Sequence, residues 1–80
     1  MASESEMEIN QQDLMEDLKD RLIVLLGDLK KMGYDFTDTV KPLLIDTGPP
    51  EHQIPKLRAR IERLQNMLQF QLQLQLQLNL

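Results

Sequence analysis

The sequence contains no cysteine, one histidine and three aromatic residues, so several ways of stabilising a small protein are missing. A chain of 80 residues forms one small domain, and such domains usually need disulfides, a metal ion or partner chains. No disulfide can form here, and His52 lacks the further histidines or cysteines of a zinc site. Leucine must therefore supply most of the buried surface, which favours packed helices, and we expect no cofactor.

The chain also lacks an excess of basic residues and any long apolar run. Its formal charge of −4 argues against nucleic acid as a partner, because binding to phosphates needs lysine and arginine. No segment is apolar enough to span a bilayer, and the N-terminus MASESEMEIN is acidic, unlike a signal peptide. Anionic lipid would repel such a surface. We expect an intracellular or virion-associated protein without a membrane partner.

Apolar residues recur with helical spacing in the first half of the chain. Residues 1–9 are acidic with few apolar anchors and are predicted to be disordered. Residues 10–32 form the first predicted helix, because its seam steps by three and four. Lysines precede Gly33, which is placed to end the helix in the left-handed conformation. The seam residues are Met15, Leu18, Leu22, Leu25, Leu29 and Met32.

The first predicted helix is apolar on more than its seam. Because Leu14, Ile23, Val24 and Leu26 widen the apolar surface, we expect the helix to be buried on more than one side. Gly27 lies in the middle of this stretch. It either allows close approach of another helix or weakens this one by about 1 kcal/mol relative to alanine.

A connector and a second helix follow. Residues 34–53 contain three prolines and Gly48, which break regular structure. Val40 and its apolar neighbours are expected to pack against the helices as a short helical turn that starts near Thr37 or Pro42.

The second helix is predicted over residues 55–68, with Pro55 at its first position. Its seam is Ile54, Leu57, Ile61, Leu64 and Leu68. Together the two seams predict a mainly α fold, with a two-helix hairpin or a coiled coil as a helical oligomerisation domain over residues 10–68.

Residues 69–80 alternate leucine and glutamine with a period of two. In a β-strand the apolar residues would share one face, whereas in a helix they would scatter around the circumference. The pattern predicts a C-terminal strand, and because the chain offers no partner strand, we expect it to pair between molecules. A helical continuation, disorder and a low-complexity segment without function are the alternatives. The strand residues are Phe70, Leu72, Leu74, Leu76, Leu78 and Leu80.

Charge is distributed unevenly between the two predicted helices. Residues 1–29 carry eight acidic and two basic residues, a balance of −6, and residues 54–68 carry four basic residues and one acidic residue, a balance of +3. Such opposite charges can fix the orientation of helices within a chain or between chains, although exposed pairs stabilise little. Two solvated faces are the simpler interpretation.

The stretch LLIDTG at residues 43–48 resembles the Asp-Thr-Gly motif of aspartic proteases. The resemblance would make Asp46 the catalytic carboxylate and imply an all-β fold. It covers six residues only, it is followed by Pro49 and Pro50, and its surroundings are helical in pattern. We therefore interpret Asp46 and Thr47 as turn residues and predict no catalytic or metal-binding residues.

These observations predict a non-enzymatic structural or assembly protein. We expect it to form homo-oligomers through its helical seams and its tail, and by analogy small building blocks of larger particles such as virions fit the same description. The alternative is an adaptor or regulatory protein that binds a different protein through its apolar helix faces or through strand addition of its tail.

Overall fold

The computed structural model of the chain describes residues 4–78, with side chains from residue 10 onward. Three helices follow one another: α1 (Glu4–Lys31), α2 (Thr37–Ile45) and α3 (Pro50–Leu78). Helices α1 and α3 pack along each other, and α2 lies in the connection between them. The prediction of a mainly helical protein with two packed helices is confirmed.

Helix α1 begins earlier than predicted. It starts at Glu4, whereas residues 1–9 were predicted to be disordered. Residues 1–3 lie outside the described part of the chain. Once a helix has a packed segment, each added residue gains a hydrogen bond without a new nucleation cost.

Helix α1 ends at Lys31, and Gly33 follows it in the predicted left-handed conformation. Gly33 has a φ of 98°, a conformation that side chains disfavour but glycine adopts freely. The Tyr34 amide donates to the carbonyl of Leu29 at 2.9 Å, and the Gly33 amide donates to the carbonyl of Lys30 at 3.0 Å. This pair of hydrogen bonds is the Schellman motif, which satisfies carbonyls that the helix itself leaves unpaired.

Helix α2 is the short helix predicted near Thr37. The Asp35 carboxylate accepts hydrogen bonds from the backbone amide of Thr37 at 3.0 Å and from its hydroxyl at 2.6 Å. These bonds satisfy a donor at the start of the helix that has no partner inside it. Val40 is fully buried among the residues of the other two helices. The short helix therefore closes the core beside α1 and α3.

Helix α3 starts at Pro50 and not at Pro55. Proline suits a first helical position because its missing amide would have no partner there. The preceding carbonyl, that of Pro49, accepts from the amides of His52 at 3.0 Å and Gln53 at 3.2 Å. Pro55 then lies inside the helix, where its ring leaves the carbonyl of the exposed Glu51 without an intrahelical donor.

The core is a single cluster shared by all three helices. It contains most of both predicted seams together with two additional residues, Leu26 and Val40. The radius of gyration is 15.5 Å, whereas a compact globule of this length would have about 12 Å. The long helices thus make an elongated molecule with much of its apolar sequence at the surface. The buried seam residues are Met15, Leu18, Leu22, Leu25, Leu29, Leu57, Ile61 and Leu64.

The predicted C-terminal strand is wrong for the residues that the structure describes. Helix α3 continues through residues 69–78 to Leu78, and no strand occurs between residues 4 and 78. Asn79 and Leu80 lie outside the described residues. Leucine and glutamine both favour helices, and the helix is already nucleated by its packed first half, so continuation needs no partner chain for its backbone. A strand would have left its amides and carbonyls unpaired within the single chain.

Candidate interaction surfaces

The predicted seam residues divide into buried and half-buried groups. Eight lie in the core, while Met32, Ile54 and Leu68 are only partly buried at its margins. These three sit near the ends of the packed region, where neighbouring helices cover them on fewer sides. Within the single chain the seams therefore pack the helices against one another, and eight of their eleven side chains are buried by that packing.

The C-terminal part of α3 exposes a group of apolar side chains that we name the tail surface. Phe70 is 58% exposed and Leu78 is 84% exposed. From Leu64 to the end of the sequence there is no charged residue. The leucines predicted to face one way along a strand instead point in several directions around a helix. The tail surface consists of Met67, Phe70, Leu72, Leu74, Leu76 and Leu78.

Helix α1 has a second apolar area on the side away from its seam. Ile23 and Val24 were expected to be buried, yet Ile23 is 52% and Val24 is 61% exposed. Gly27 follows them on the same side of the helix, and a Cβ placed on it would meet no atom within 4 Å. The expectation that α1 is buried on more than one side is therefore wrong for the single chain. Gly27 thus leaves open space next to two exposed β-branched residues.

A cleft of about 380 Å³ lies between α1 and α3. Its apolar lining comes from Leu14, Leu18 and Ile61, and charged residues of both signs line the rest of it. Each helix contributes an acid four residues from an arginine, a spacing that places the two side chains side by side. These charges balance one another, so the cleft attracts neither an anion nor a cation strongly. They are Asp17, Arg21, Arg58 and Glu62.

A second cleft, of about 340 Å³, lies where the start of α3 meets the middle of α1. The Lys19 ammonium donates to the carbonyl of Asp46 at 3.2 Å, which ties the loop after α2 to α1. Gln53 is 2% exposed, and its side-chain amide donates to the carbonyl of Gly48. Its Oε1 has no hydrogen-bond partner among residues 4–78. This glutamine was missed in the sequence because it sits one residue before the predicted seam.

Asp46 has the turn role that the sequence indicated. Its Oδ1 accepts from the amide of Gly48 at 2.9 Å, which is the geometry of an Asx turn. The carboxylate is thus held by its own loop. Within the described part of the chain, no three histidine, cysteine or acidic residues lie close enough together to hold a metal ion.

The carboxylate of Asp35, just before α2, has a lowered pKa. Hydrogen bonds from the Thr37 hydroxyl and amide hold the pKa of Asp35 below its ordinary value. The shift has a local structural cause, because both donors belong to the helix that Asp35 precedes. This carboxylate is fully exposed and lies outside both clefts.

Comparisons with known proteins identify no relative: no family model, no curated protein and no solved structure matches the chain. Among the three helices between residues 4 and 78, none has an apolar stretch long enough to cross a bilayer. The exposed surfaces and clefts described above are the features of the molecule that bear on its function.

Proposed function

We propose that this chain is a non-enzymatic structural or assembly protein that forms homo-oligomers through its exposed helix surfaces. The observation that carries the proposal is the tail surface. Six large apolar side chains are exposed on an uncharged helical segment of a protein that has already buried its core. Association with another chain would bury these apolar side chains.

The extent of the tail surface supports an interface. Its six side chains together expose on the order of 600 Å² of largely apolar surface around the helix, and so much exposed apolar surface is typical of an interaction site. A standard interface buries about 800 Å² on each partner. The part of the tail surface on one side of α3 can therefore supply a substantial share of one partner's contact area.

Charge favours a second copy as the partner. The chain has a formal charge of −4, so two copies repel each other weakly overall. The tail surface itself carries no charge, so a second copy can approach it without like-charge repulsion.

The alternative is an adaptor whose apolar surfaces bind a different protein. The same tail surface would then lie in a groove of that protein as an amphipathic helix. The two functions differ in a measurable way, because an assembly protein forms defined oligomers alone and an adaptor does not.

The test is the solution mass of the full chain measured by sedimentation equilibrium over a wide concentration range. The matched variant is the double substitution Phe70→Gln and Leu74→Gln, which retains good helix formers while removing apolar surface. We expect discrete oligomers for the natural chain and a large loss of mass for the variant, with equal helicity by circular dichroism. The double substitution Gln73→Ala and Gln77→Ala is the control and should leave the mass unchanged. A natural chain that stays monomeric throughout would contradict the proposal and favour the adaptor.

A further inference from the structure

The outer side of α1 carries a face that is acidic in its first part and apolar in its second. We name it the α1 outer face. All its members are exposed, and their spacing of i, i+3, i+4, i+7, i+10, i+11 and i+14 places them on one side of a helix. The members are Asp13, Glu16, Asp17, Asp20, Ile23, Val24 and Gly27.

Helix α3 carries a matching face that is basic in its first part and apolar in its second. We name it the α3 outer face. Its members are exposed, apart from the half-buried Arg60, and follow the spacing i, i+3, i+4, i+7, i+11, i+14 and i+18. The members are Lys56, Ala59, Arg60, Arg63, Met67, Phe70 and Leu74.

Within one chain the centres of these two faces lie away from the buried seams through which α1 and α3 pack. Glu16 and Asp17 lie at the edges of the α1 outer face, where they also line the two clefts. We propose that the α1 outer face of one copy binds the α3 outer face of a second copy, with the two helices running in the same direction. This inference rests on the proposed homo-oligomeric function and names the contact that produces it.

The register of this contact follows from the shared spacing. When the first members of both faces are aligned on two facing parallel helices, the central residues at i and i+7 lie opposite each other, and a carboxylate meets a cation at both positions. At i+14 the large Phe70 meets Gly27, where space is open. Residues on one edge of the α1 outer face lie beside the opposite edge of the α3 outer face, which brings an acid to an arginine and an apolar residue to a methionine. The central pairs are Asp13 with Lys56, Asp20 with Arg63 and Gly27 with Phe70, and the edge pairs are Glu16 with Arg60 and Ile23 with Met67.

The order of charged and apolar parts determines the direction of the pairing. With the helices antiparallel, the carboxylates of α1 would lie beside Phe70 and Leu74, and the cations of α3 would lie beside Ile23 and Val24. Each charged group would then lose water without gaining a partner, which is costly. The parallel arrangement matches charge with charge and apolar with apolar surface.

Gly27 has a defined role in this contact. A glycine on an exposed helix face costs stability relative to alanine, and no atom of its own chain fills the space above it. In the proposed register the ring of Phe70 from the second copy occupies that space. The helix pair can then approach more closely than a side chain at this position would permit.

The contact joins different faces of the two copies, so it is heterologous. Each copy retains a free α1 outer face or a free α3 outer face after the first contact forms. Heterologous contacts generate closed rings when the rotation between copies closes, and filaments when it does not. The structure thus gives the assembly a head-to-tail character.

Charge reversal on each face tests the pairing. We expect Asp20→Lys and Arg63→Glu each to raise the dissociation constant about tenfold, because an attractive pair becomes repulsive. An equimolar mixture of the two variants should recover the natural association, since the changed α1 outer face of one then matches the changed α3 outer face of the other. Reversal of Lys41→Glu, on an exposed position of α2, is the control and should have little effect.

Substitution of the glycine tests the close approach. Gly27→Gln should raise the dissociation constant by at least tenfold, because its side chain occupies the position of Phe70. Gly27→Ala should have a smaller effect. Both substitutions should leave the melting temperature of the dissociated monomer equal or higher, since glutamine and alanine favour helices and their Cβ meets open space.

The outcomes separate this inference from the proposed function. Recovery in the mixture, together with weakened association of each single variant, supports the head-to-tail contact. If the natural chain associates but neither charge reversal nor Gly27→Gln changes its mass, the proposed contact is wrong and the oligomeric function stands. If the natural chain remains monomeric, both are overturned.

Discussion

The two parts of helix α3 differ in burial, although leucine is the main apolar residue of both. In the first part Leu57 is 1% exposed, and Ile61 and Leu64 are buried with it against α1. In the second part Phe70, Leu76 and Leu78 remain exposed. The first part spaces its apolar residues by three and four, which concentrates them on one side, and the second spaces them by two, which distributes them. Spacing, more than hydrophobicity, decides which leucines enter the core.

The largest expected effect comes from removing a leucine in the packed part. Leu57→Ala should lower the free energy of unfolding by about 2 to 5 kcal/mol, because it opens a cavity in the core. Leu76→Ala, the same chemical change in the exposed part, should alter it by less than about 0.5 kcal/mol. Urea unfolding of the monomer, followed by circular dichroism, measures both. Equal losses of unfolding free energy in the two variants would contradict the division of α3 into a packed and an exposed part.

Replacing a glutamine should also cost more stability in the packed part of α3 than in the exposed part. Gln53→Ala removes the hydrogen bond to the Gly48 carbonyl and leaves a space in a buried position, so we expect a loss of about 1 to 3 kcal/mol. Gln73→Ala, on the exposed part, should be neutral. Gln53→Met retains the volume and removes the unpartnered Oε1, and it should cost less than alanine. Equal costs for methionine and alanine would show that the hydrogen bond matters more than the packing, because both substitutions remove the bond and only methionine retains the volume.

A proline in each part sharpens the comparison further. Gln65→Pro interrupts the helix beside the buried Leu64 and Ile61 and should cost about 3 kcal/mol or more. Gln73→Pro should reduce the helical circular dichroism of the last turns while the urea midpoint of the remaining core stays the same. Amide hydrogen exchange would locate the lost helix after residue 69. Loss of the whole fold on Gln73→Pro would mean that the exposed part contributes to the core.

The smallest expected effect is the pH dependence of the start of α2. Because the pKa of Asp35 is lowered in the folded chain, its contribution to stability is present above the unfolded value near 3.8. It is lost as the pH falls through the lower folded value. Asp35→Asn should remove this acid-dependent step together with the small stabilisation that the carboxylate gives at neutral pH. Amide hydrogen exchange of Thr37 as a function of pH measures this loss. If the variant had the same pH profile as the natural chain, Asp35 would not be its cause.

Several features could be predicted from local sequence alone. The seam of α1, the left-handed Gly33 and the turn at Asp46 depend on residues within a few positions of one another, so their physical causes are visible in the sequence. The burial of Leu22 and Leu57 follows from the same periodicity. The burial of Gln53 could not be predicted, because it depends on how the loop before α3 folds back onto α1.

The sequence by itself determined that the protein is mainly helical and that leucines spaced by three and four form its core. Only the tertiary structure decided which apolar residues lie beyond that core. Ile23 and Val24 lie outside the core because only one side of α1 packs against the other helices. Residues 69–78 are helical because they extend a helix that is already nucleated. A period of two favours a strand only when another strand is available to satisfy the backbone, and the single chain supplies none.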